Sequence, residues 1–230
     1  MQGRIMAGIG NILCLVTIAV TTVTATDYCD LKSCSERSHT MCKYPTTIPA
    51  KRCDPWYSVG LNDVDRKAML DKHNELRRKV ASGQETRGRP GPQPSAVSMP
   101  DLTWDEELEN IAQRWVIQCD YGWDKCRNVD RFAVGQNIAM VRTTGKPPSN
   151  VEMVKLIYRG VDEFDKNKAS LPYQFDLFTV QYTQVVWANT TTVGCGQISS
   201  YYSGMNMTYV VCNYGPRGNV IGDLIYKVKV

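Results

Sequence analysis

The side chains with the widest chemistry in this sequence are nine cysteines and two histidines. A cysteine can act as a nucleophile, bind a metal or form a disulfide, depending on its spacing and its compartment. No Cys-x-x-Cys pair occurs, which argues against a structural zinc site. His39 and His73 are the two histidines of the sequence, so an acid–base or metal site can contain at most two imidazole groups.

The first 25 residues have the layout of a secretory signal peptide. Arg4 gives a positive start, residues 12–20 are apolar, and Val23-Thr24-Ala25 offers small residues for cleavage. The alternative is a membrane anchor, but the uninterrupted apolar run is too short to cross a bilayer, and no later run is long enough. We therefore expect a secreted, extracellular protein with no membrane span.

Loss of this segment removes Cys14 and leaves an even number of cysteines, which predicts four disulfides. The eight are Cys29, Cys34, Cys42, Cys53, Cys119, Cys126, Cys195 and Cys212. Eight cysteines allow many pairings, and local geometry argues for one of them. If two predicted strands pair antiparallel around a turn at Ser203-Gly204, Cys195 lies opposite Cys212, within disulfide distance.

The elements that would position these side chains are three helices followed by strands. Helices are predicted over residues 62–82, 105–119 and 149–166, and a strand over 178–187 ahead of the hairpin. Each helix begins at a good capping residue, and helices followed by antiparallel strands indicate an α+β fold. Gly160 is unusual, because a glycine inside a helix costs about 1 kcal/mol relative to alanine.

Residues 26–60 are predicted to be a cysteine-rich, disulfide-stapled extension, with a single domain over 61–230. The extension holds half of the eight cysteines, and no helical or strand period is visible up to residue 58. We therefore expect it to depend on the domain for its order.

Composition excludes several functions. Hydrophobic residues make up 43% and charged residues 22%, as in ordinary globular proteins. The net charge of +4 is too small to suggest a nucleic-acid partner. No Gly-x-Ser-x-Gly elbow occurs, and a cysteine protease needs a free thiol, which four disulfides would not leave. We therefore expect that the protein is not an enzyme. Sugar cleavage by a pair of carboxylates is the alternative that the sequence leaves open.

Several motifs in order along the chain carry a family resemblance. They are His73-Asn74-Glu75-Leu76-Arg77, Gly135-Gln136-Asn137-Ile138-Ala139, Tyr182-Thr183-Gln184-Val185-Val186-Trp187 and the run over 209–220. Together they resemble the CAP superfamily of cysteine-rich secretory, antigen 5 and pathogenesis-related class 1 proteins. Shorter segments at 27–29, 39–44, 91–94, 126–129 and 132–137 are similar to the hymenopteran venom antigen 5 and allergen 3 group.

The resemblance implies an α-β-α sandwich with an antiparallel sheet between helical layers. It also implies the pairs Cys29–Cys42, Cys34–Cys126, Cys53–Cys119 and Cys195–Cys212. For function, it implies a non-enzymatic venom or saliva protein that binds a lipid or a host protein and provokes antibodies in exposed hosts. A residual hydrolase is the alternative.

Many members of the superfamily share a cleft in which two histidines and two acids hold a divalent metal. Carried over by position, the four residues are His73, Gln136, Gly160 and Gln181, with Asp162 and Glu163 near the third. Zinc needs about three or four good ligands, and only His73 is one. We therefore expect no metal and no cofactor. His73 itself is either a buried histidine held by a hydrogen bond or the remnant of an ancestral site.

Two sequons permit N-glycosylation, at Asn189-Thr190-Thr191 and Asn206-Met207-Thr208. Either sequon can also stay unused, because modification needs an exposed site. Asn206 is the better candidate, since it lies near the predicted hairpin tip. The channel-blocking role of snake relatives is not expected, because no further cysteines follow Cys212.

Overall fold

The computed structural model describes residues 26–229 and shows a sheet between two helical layers. The predicted signal segment and Cys14 lie outside the described residues. The helices are α1 (Thr40–Lys43), α2 (Asp63–Ala81), α3 (Glu106–Val116), α4 (Asn150–Tyr158) and α5 (Val180–Val185). The strands are β1 (Trp56–Val59), β2 (Thr103–Trp104), β3 (Gly135–Thr143), β4 (Thr192–Tyr202) and β5 (Met205–Gly215). Short 3-10 turns occur at Lys51–Cys53, Arg159–Glu163 and Lys166–Ser170.

Four strands form an antiparallel sheet in the order β1-β4-β5-β3, and β2 adds a short parallel pairing to β4. Cys195 lies opposite Cys212 in the β4–β5 hairpin, which confirms the predicted register. The turn falls at Ser203 and Gly204, with φ angles of 49° and 78°. A glycine suits such a turn because it adopts a positive φ without steric cost.

Side chains alternate across the sheet and contribute to a core on each of its faces. On β5, Val210 and Cys212 pack with apolar residues of α2, α4 and α5, whereas Tyr209 and Val211 pack with residues of α3. This alternation follows from the two-residue period of a strand. The result is the α-β-α sandwich that the resemblance implied, with α2, α4 and α5 on one face and α3, against which α1 packs, on the other.

The first three long helices begin where the sequence predicted. Asn62, Asp105 and Ser149 cap α2, α3 and α4 through their side chains. The third helix is shorter than predicted, because the chain tightens into a 3-10 turn after Tyr158. A side chain at Gly160 would place its Cβ 2.7 Å from the carbonyl oxygen of Phe178. The glycine thus permits close contact with the segment before α5.

The prediction of a strand over residues 178–187 was wrong, because this segment contains helix α5. Tyr182 and Val185 pack in the larger core, and the Arg77 guanidinium donates to the carbonyl oxygens of Val185 and Trp187. These contacts come from distant parts of the chain. They supply hydrogen-bond donors to the carbonyl groups at the end of the helix, and so stabilise a helix in a segment whose residue types favour strands.

The extension has more regular structure than its sequence suggested. Instead of lacking helix and strand, it contains α1 and the edge strand β1, which pairs antiparallel with β4. The disulfides are Cys29–Cys42, Cys34–Cys126, Cys53–Cys119 and Cys195–Cys212, the same pairs that the resemblance implied. Two of them tie the extension to later parts of the chain. Within residues 26–229, no helix is long and apolar enough to cross a membrane.

Candidate functional site

His73 lies on α2 with its side chain fully buried and both ring nitrogens engaged. Nδ1 is 2.8 Å from the Met69 carbonyl oxygen, which can only accept, so Nδ1 carries the proton. Nε2 is 2.9 Å from the Tyr214 hydroxyl and accepts from it. Burial lowers the pKa of His73 to about 4, so the ring is neutral at pH 7. No lone pair remains for a metal or a substrate.

The side chains of Gln136 and Gln181 are also held by protein groups. Gln136 donates to the Asn213 amide oxygen at 2.9 Å and accepts from the Asp124 backbone N–H at 3.1 Å. The Gln181 amide oxygen accepts from the Ile138 N–H at 2.8 Å, which joins α5 to β3. These amides position the backbone.

An open cleft of about 550 Å³ lies where the start of β3 meets α5 and the segment after β5. It is lined by Trp123, Arg127, Val134, Gly135, Gln136, Phe175, Val180, Gln184, Arg217, Gly218, Asn219, Val220 and Ile221. Of the four positions carried over from the resemblance, this wall contains only Gln136. His73, Gly160 and Gln181 do not line this cleft, and their grouping with Gln136 stays a prediction from the resemblance. His73 points inward because it shares the buried face of α2, and Gly160 and Gln181 serve contacts between elements.

The other amides of the cleft wall are occupied as well. Gln184 accepts from the Gly218 N–H at 3.0 Å and donates to the Thr190 hydroxyl at 3.2 Å. Asn219 donates to the Val180 carbonyl oxygen and accepts from the Thr183 hydroxyl, each at 2.7 Å. The wall is therefore built from amides that hold its own loops in place.

The charges of the wall do not suit a metal cation. Its lining residues include Arg127 and Arg217 but no aspartate or glutamate. Arg127 pairs with Asp124, whereas Arg217 is exposed and has no salt bridge among the described residues. Within residues 26–229, no group of three or more His, Cys, Asp or Glu residues is arranged to hold a metal. The residues present do not fit the metal site that the resemblance describes.

A second cavity, which we call the loop cavity, lies within the segment that connects α4 to α5 and has a volume of about 420 Å³. Its wall is largely apolar and includes Phe164, Leu171, Tyr173, Phe175, Leu177, Phe178 and Ile225. Phe178 is 79% exposed and Leu177 is 62% exposed. Phe175 also lines the cleft, so the two spaces share a wall.

Sequence reasoning missed Trp123, Phe175 and Arg217 as cleft residues. The available signal was the run Leu171-Pro172-Tyr173-Gln174-Phe175-Asp176-Leu177-Phe178, which is unusually apolar for a connection. The predicted strand over 178–187 includes only the last residue of that run, Phe178, and no role was predicted for the other seven residues. Trp123 and Arg217 carry no local signal, because the fold brings them together from distant segments.

The two sequon asparagines differ in their surroundings. Asn189 is exposed in the turn after α5. Asn206 is half-buried at the hairpin end, where its amide donates to the Gly145 carbonyl oxygen and accepts from the Tyr57 hydroxyl. Asn189 is therefore the more exposed of the two sequon asparagines, although the hairpin argument from the sequence preferred Asn206.

Comparisons with known proteins agree with this architecture. The profile of the cysteine-rich secretory protein family, CAP, matches residues 70–214. The chain is 50% identical over 213 residues to venom allergen 3 of Solenopsis invicta, covering 89% of this chain and 91% of that protein. It is 49% identical over 210 residues to a venom allergen 3 homolog of Dinoponera quadriceps, with coverage of 89% and 91%. The crystal structure of NaASP2 with Zn²⁺ superposes with a TM-score of 0.62 at 31% identity, covering 74% of this chain and 88% of that one. The chain belongs to the cysteine-rich secretory protein (CAP) family and is similar to the venom allergen 3 and 5 proteins of Hymenoptera.

Proposed function

We propose that this chain is a secreted, extracellular protein that binds a lipid or a host protein and catalyses no reaction. The observation that carries the proposal is the state of His73, the only histidine after residue 60. Both of its nitrogens are engaged, and it does not line the cleft. General acid–base catalysis needs a group that reaches the substrate, and the cleft wall offers only amides and arginines in its place.

The secreted setting is part of the same proposal. Residues 1–25 act as a removable signal peptide, residues 26–60 as the stapled extension and residues 61–230 as the binding domain. The four disulfides suit an oxidising compartment, and the names of the relatives, venom allergens, suit an extracellular product. N-terminal sequencing of the native protein should begin at Thr26, and a start at Met1 would contradict it.

The alternative of a residual hydrolase is tested by activity assays. Peptide, ester and glycan substrates should show no turnover above the blank after successive purification steps. Turnover that follows the protein through purification and is lost in Gln136→Ala would overturn the non-enzymatic proposal. Gln136 is the better variant because it lines the cleft, whereas replacing the buried His73 also disturbs the core.

The loop cavity supports a lipid ligand. Its volume lies within the range of roughly 300–1,000 Å³ that is typical of small-molecule sites. Leu171, Phe175, Leu177 and Phe178 are each more than half exposed along one short segment. Apolar surface concentrated in this way favours contact with an apolar partner.

Native mass spectrometry of gently purified protein tests this version. We expect co-purified lipid, or uptake of offered fatty acids or sterols, and reduced uptake in Phe178→Asp. The matched control is Val64→Asp, which changes an equally exposed apolar residue at 77% on a different element, α2. No bound lipid and no uptake would remove the lipid version.

A host protein is the second candidate, supported by aromatic residues near the β4–β5 hairpin. Trp56, Tyr57, Tyr201 and Tyr202 are between 44% and 51% exposed. Aromatic side chains are enriched in protein interfaces. Immobilised wild-type protein should capture a partner from host plasma, and the double variant Tyr57→Ser/Tyr202→Ser should not. Allergenicity is tested separately, by the binding of antibodies from exposed hosts. Equal capture by the wild type and the double variant would contradict the proposal that these aromatic residues bind a host protein.

A further inference from the structure

The charged side chains that line the cleft have the opposite sign to those of a metal-binding cleft. Two arginines line it and no carboxylate does. Asp124 neutralises Arg127, so the uncompensated charge of the wall is that of Arg217. An unpaired cation gives a concave surface a positive potential, which attracts anions and repels metal ions. The asymmetry points to a negatively charged ligand.

A single charged group in the wall is left without a protein partner. The amides of Gln136, Gln184 and Asn219 have partners for both oxygen and nitrogen, and Arg127 is bound to Asp124. Within residues 26–229, the guanidinium of Arg217 has neither a hydrogen bond nor a salt bridge. Its backbone is nevertheless anchored, because its N–H donates to the Ala133 carbonyl oxygen at 2.7 Å. Arg217 therefore presents free donors from a fixed position.

The remaining exposed surface of the cleft is apolar. Trp123 is 45% exposed, Phe175 60% and Ile221 67%. Phe175 forms a wall shared with the loop cavity, so an apolar group that covers it from the cleft is adjacent to further apolar surface. A ligand that matches both features carries one anionic group and an apolar body.

We propose that the cleft binds a small organic carboxylate whose anionic group pairs with Arg217 and whose apolar body covers Trp123 and Phe175. A guanidinium suits this role because its planar donors match the two oxygens of a carboxylate. The inference rests on the proposed binding function and narrows its lipid ligand to an anionic amphiphile. A straight-chain fatty acid and an aryl acid share this chemistry.

Isothermal titration calorimetry at low salt with three decyl probes tests the inference. We expect decanoate to bind, decanol to bind at least about tenfold more weakly, and decyltrimethylammonium not to bind. Arg217→Ala should weaken decanoate binding about 10- to 100-fold, as for the loss of a charged hydrogen-bonding partner, and should abolish the preference over decanol. Arg37→Ala is the matched control, because Arg37 is also exposed and unpaired among the described residues and does not line the cleft.

The outcomes separate the inference from the function on which it rests. Equal binding of all three probes, or unchanged decanoate binding in Arg217→Ala, overturns the carboxylate site and leaves lipid binding intact. No binding of any probe, together with no lipid uptake in native mass spectrometry, overturns both. Adding indole-3-acetate identifies the source: tighter binding than decanoate indicates an aryl acid, and weaker binding a fatty acid, and either result supports the shared chemistry.

Discussion

Two arginines in this protein occupy opposite kinds of environment. Arg77 on α2 is fully buried and donates five hydrogen bonds to the carbonyl oxygens of Pro100, Val185, Trp187 and Thr190. Arg217 is exposed at the cleft, and its guanidinium has no partner within residues 26–229. The same side chain organises the interior in one region and remains open to a ligand in the other.

The difference shows that the number of unused polar atoms decides the role of a site. Burial lowers the pKa of Arg77 to about 10, so it stays charged at pH 7 without an acid beside it. His73 resembles Arg77, because every donor and acceptor on its ring is used internally. Residue type alone would have assigned chemistry to His73 and none to Arg217.

The largest expected effect comes from removing the buried arginine. Arg77→Ala removes the guanidinium donor from four carbonyl oxygens. Those of Val185 and Thr190 are buried and have no other donor among the described residues, and each unsatisfied buried group costs about 1–3 kcal/mol. We expect a loss of about 4 kcal/mol or more in the free energy of unfolding, measured by urea denaturation with the disulfides intact. The neighbouring Arg78→Ala, whose side chain is 64% exposed, should change stability by about 0.5 kcal/mol or less. Equal losses for the two variants would refute this role for Arg77.

The next effect is a dependence of stability on pH through His73. Its folded pKa of about 4 lies below the ordinary 6.5, so the unfolded chain takes up this proton first as the pH falls. Stability from this group is complete above about pH 6.5 and is lost towards pH 4, by roughly 3 kcal/mol.

Denaturation curves at pH 7 and pH 4.5 measure this loss. His73→Gln can still donate and accept, and it should lose less stability than the wild type over that range. His39→Gln is the companion variant, because burial lowers the pKa of His39 as well. Parallel curves for wild type and His73→Gln would show that His73 does not contribute.

Zinc titration should show the contrast between a metal site and this cleft. Because the wall has arginines and partnered amides but no carboxylate, we expect only heats of dilution when zinc chloride is added to the apo protein. Tight one-to-one binding that Gln136→Ala abolishes would contradict the charge argument.

The smallest effect on the fold concerns the glycan. In protein secreted from insect cells, Asn189→Gln should lower the mass by one glycan, while Asn206→Gln should leave the mass essentially unchanged. The reason is that the amide oxygen and nitrogen of Asn206 are both hydrogen-bonded to protein groups, whereas Asn189 is exposed. Glycopeptide mass spectrometry gives the answer, and a glycan found only on Asn206 would reverse the assignment.

Features set by neighbouring residues could be predicted from the sequence. Asn62 and Ser149 cap their helices because the bonds lie within a single turn, and the Cys195–Cys212 register follows from a short hairpin. Helix α5 could not be predicted, since the carbonyl oxygen of its last residue, Val185, is bound by Arg77 from more than a hundred residues away. Of the cleft, only Gln136 was identified, because the other residues come together through those distant contacts.

The edge strand β1 has a consequence for the chain in a reducing environment. It covers part of the outer edge of β4, and the Cys53–Cys119 bridge fastens the chain three residues before it begins. A chain that loses this bridge can release β1 and uncover backbone N–H and C=O groups on β4. Such an edge is a template for pairing with another copy, so reduction should promote aggregation of the protein before it unfolds the sandwich.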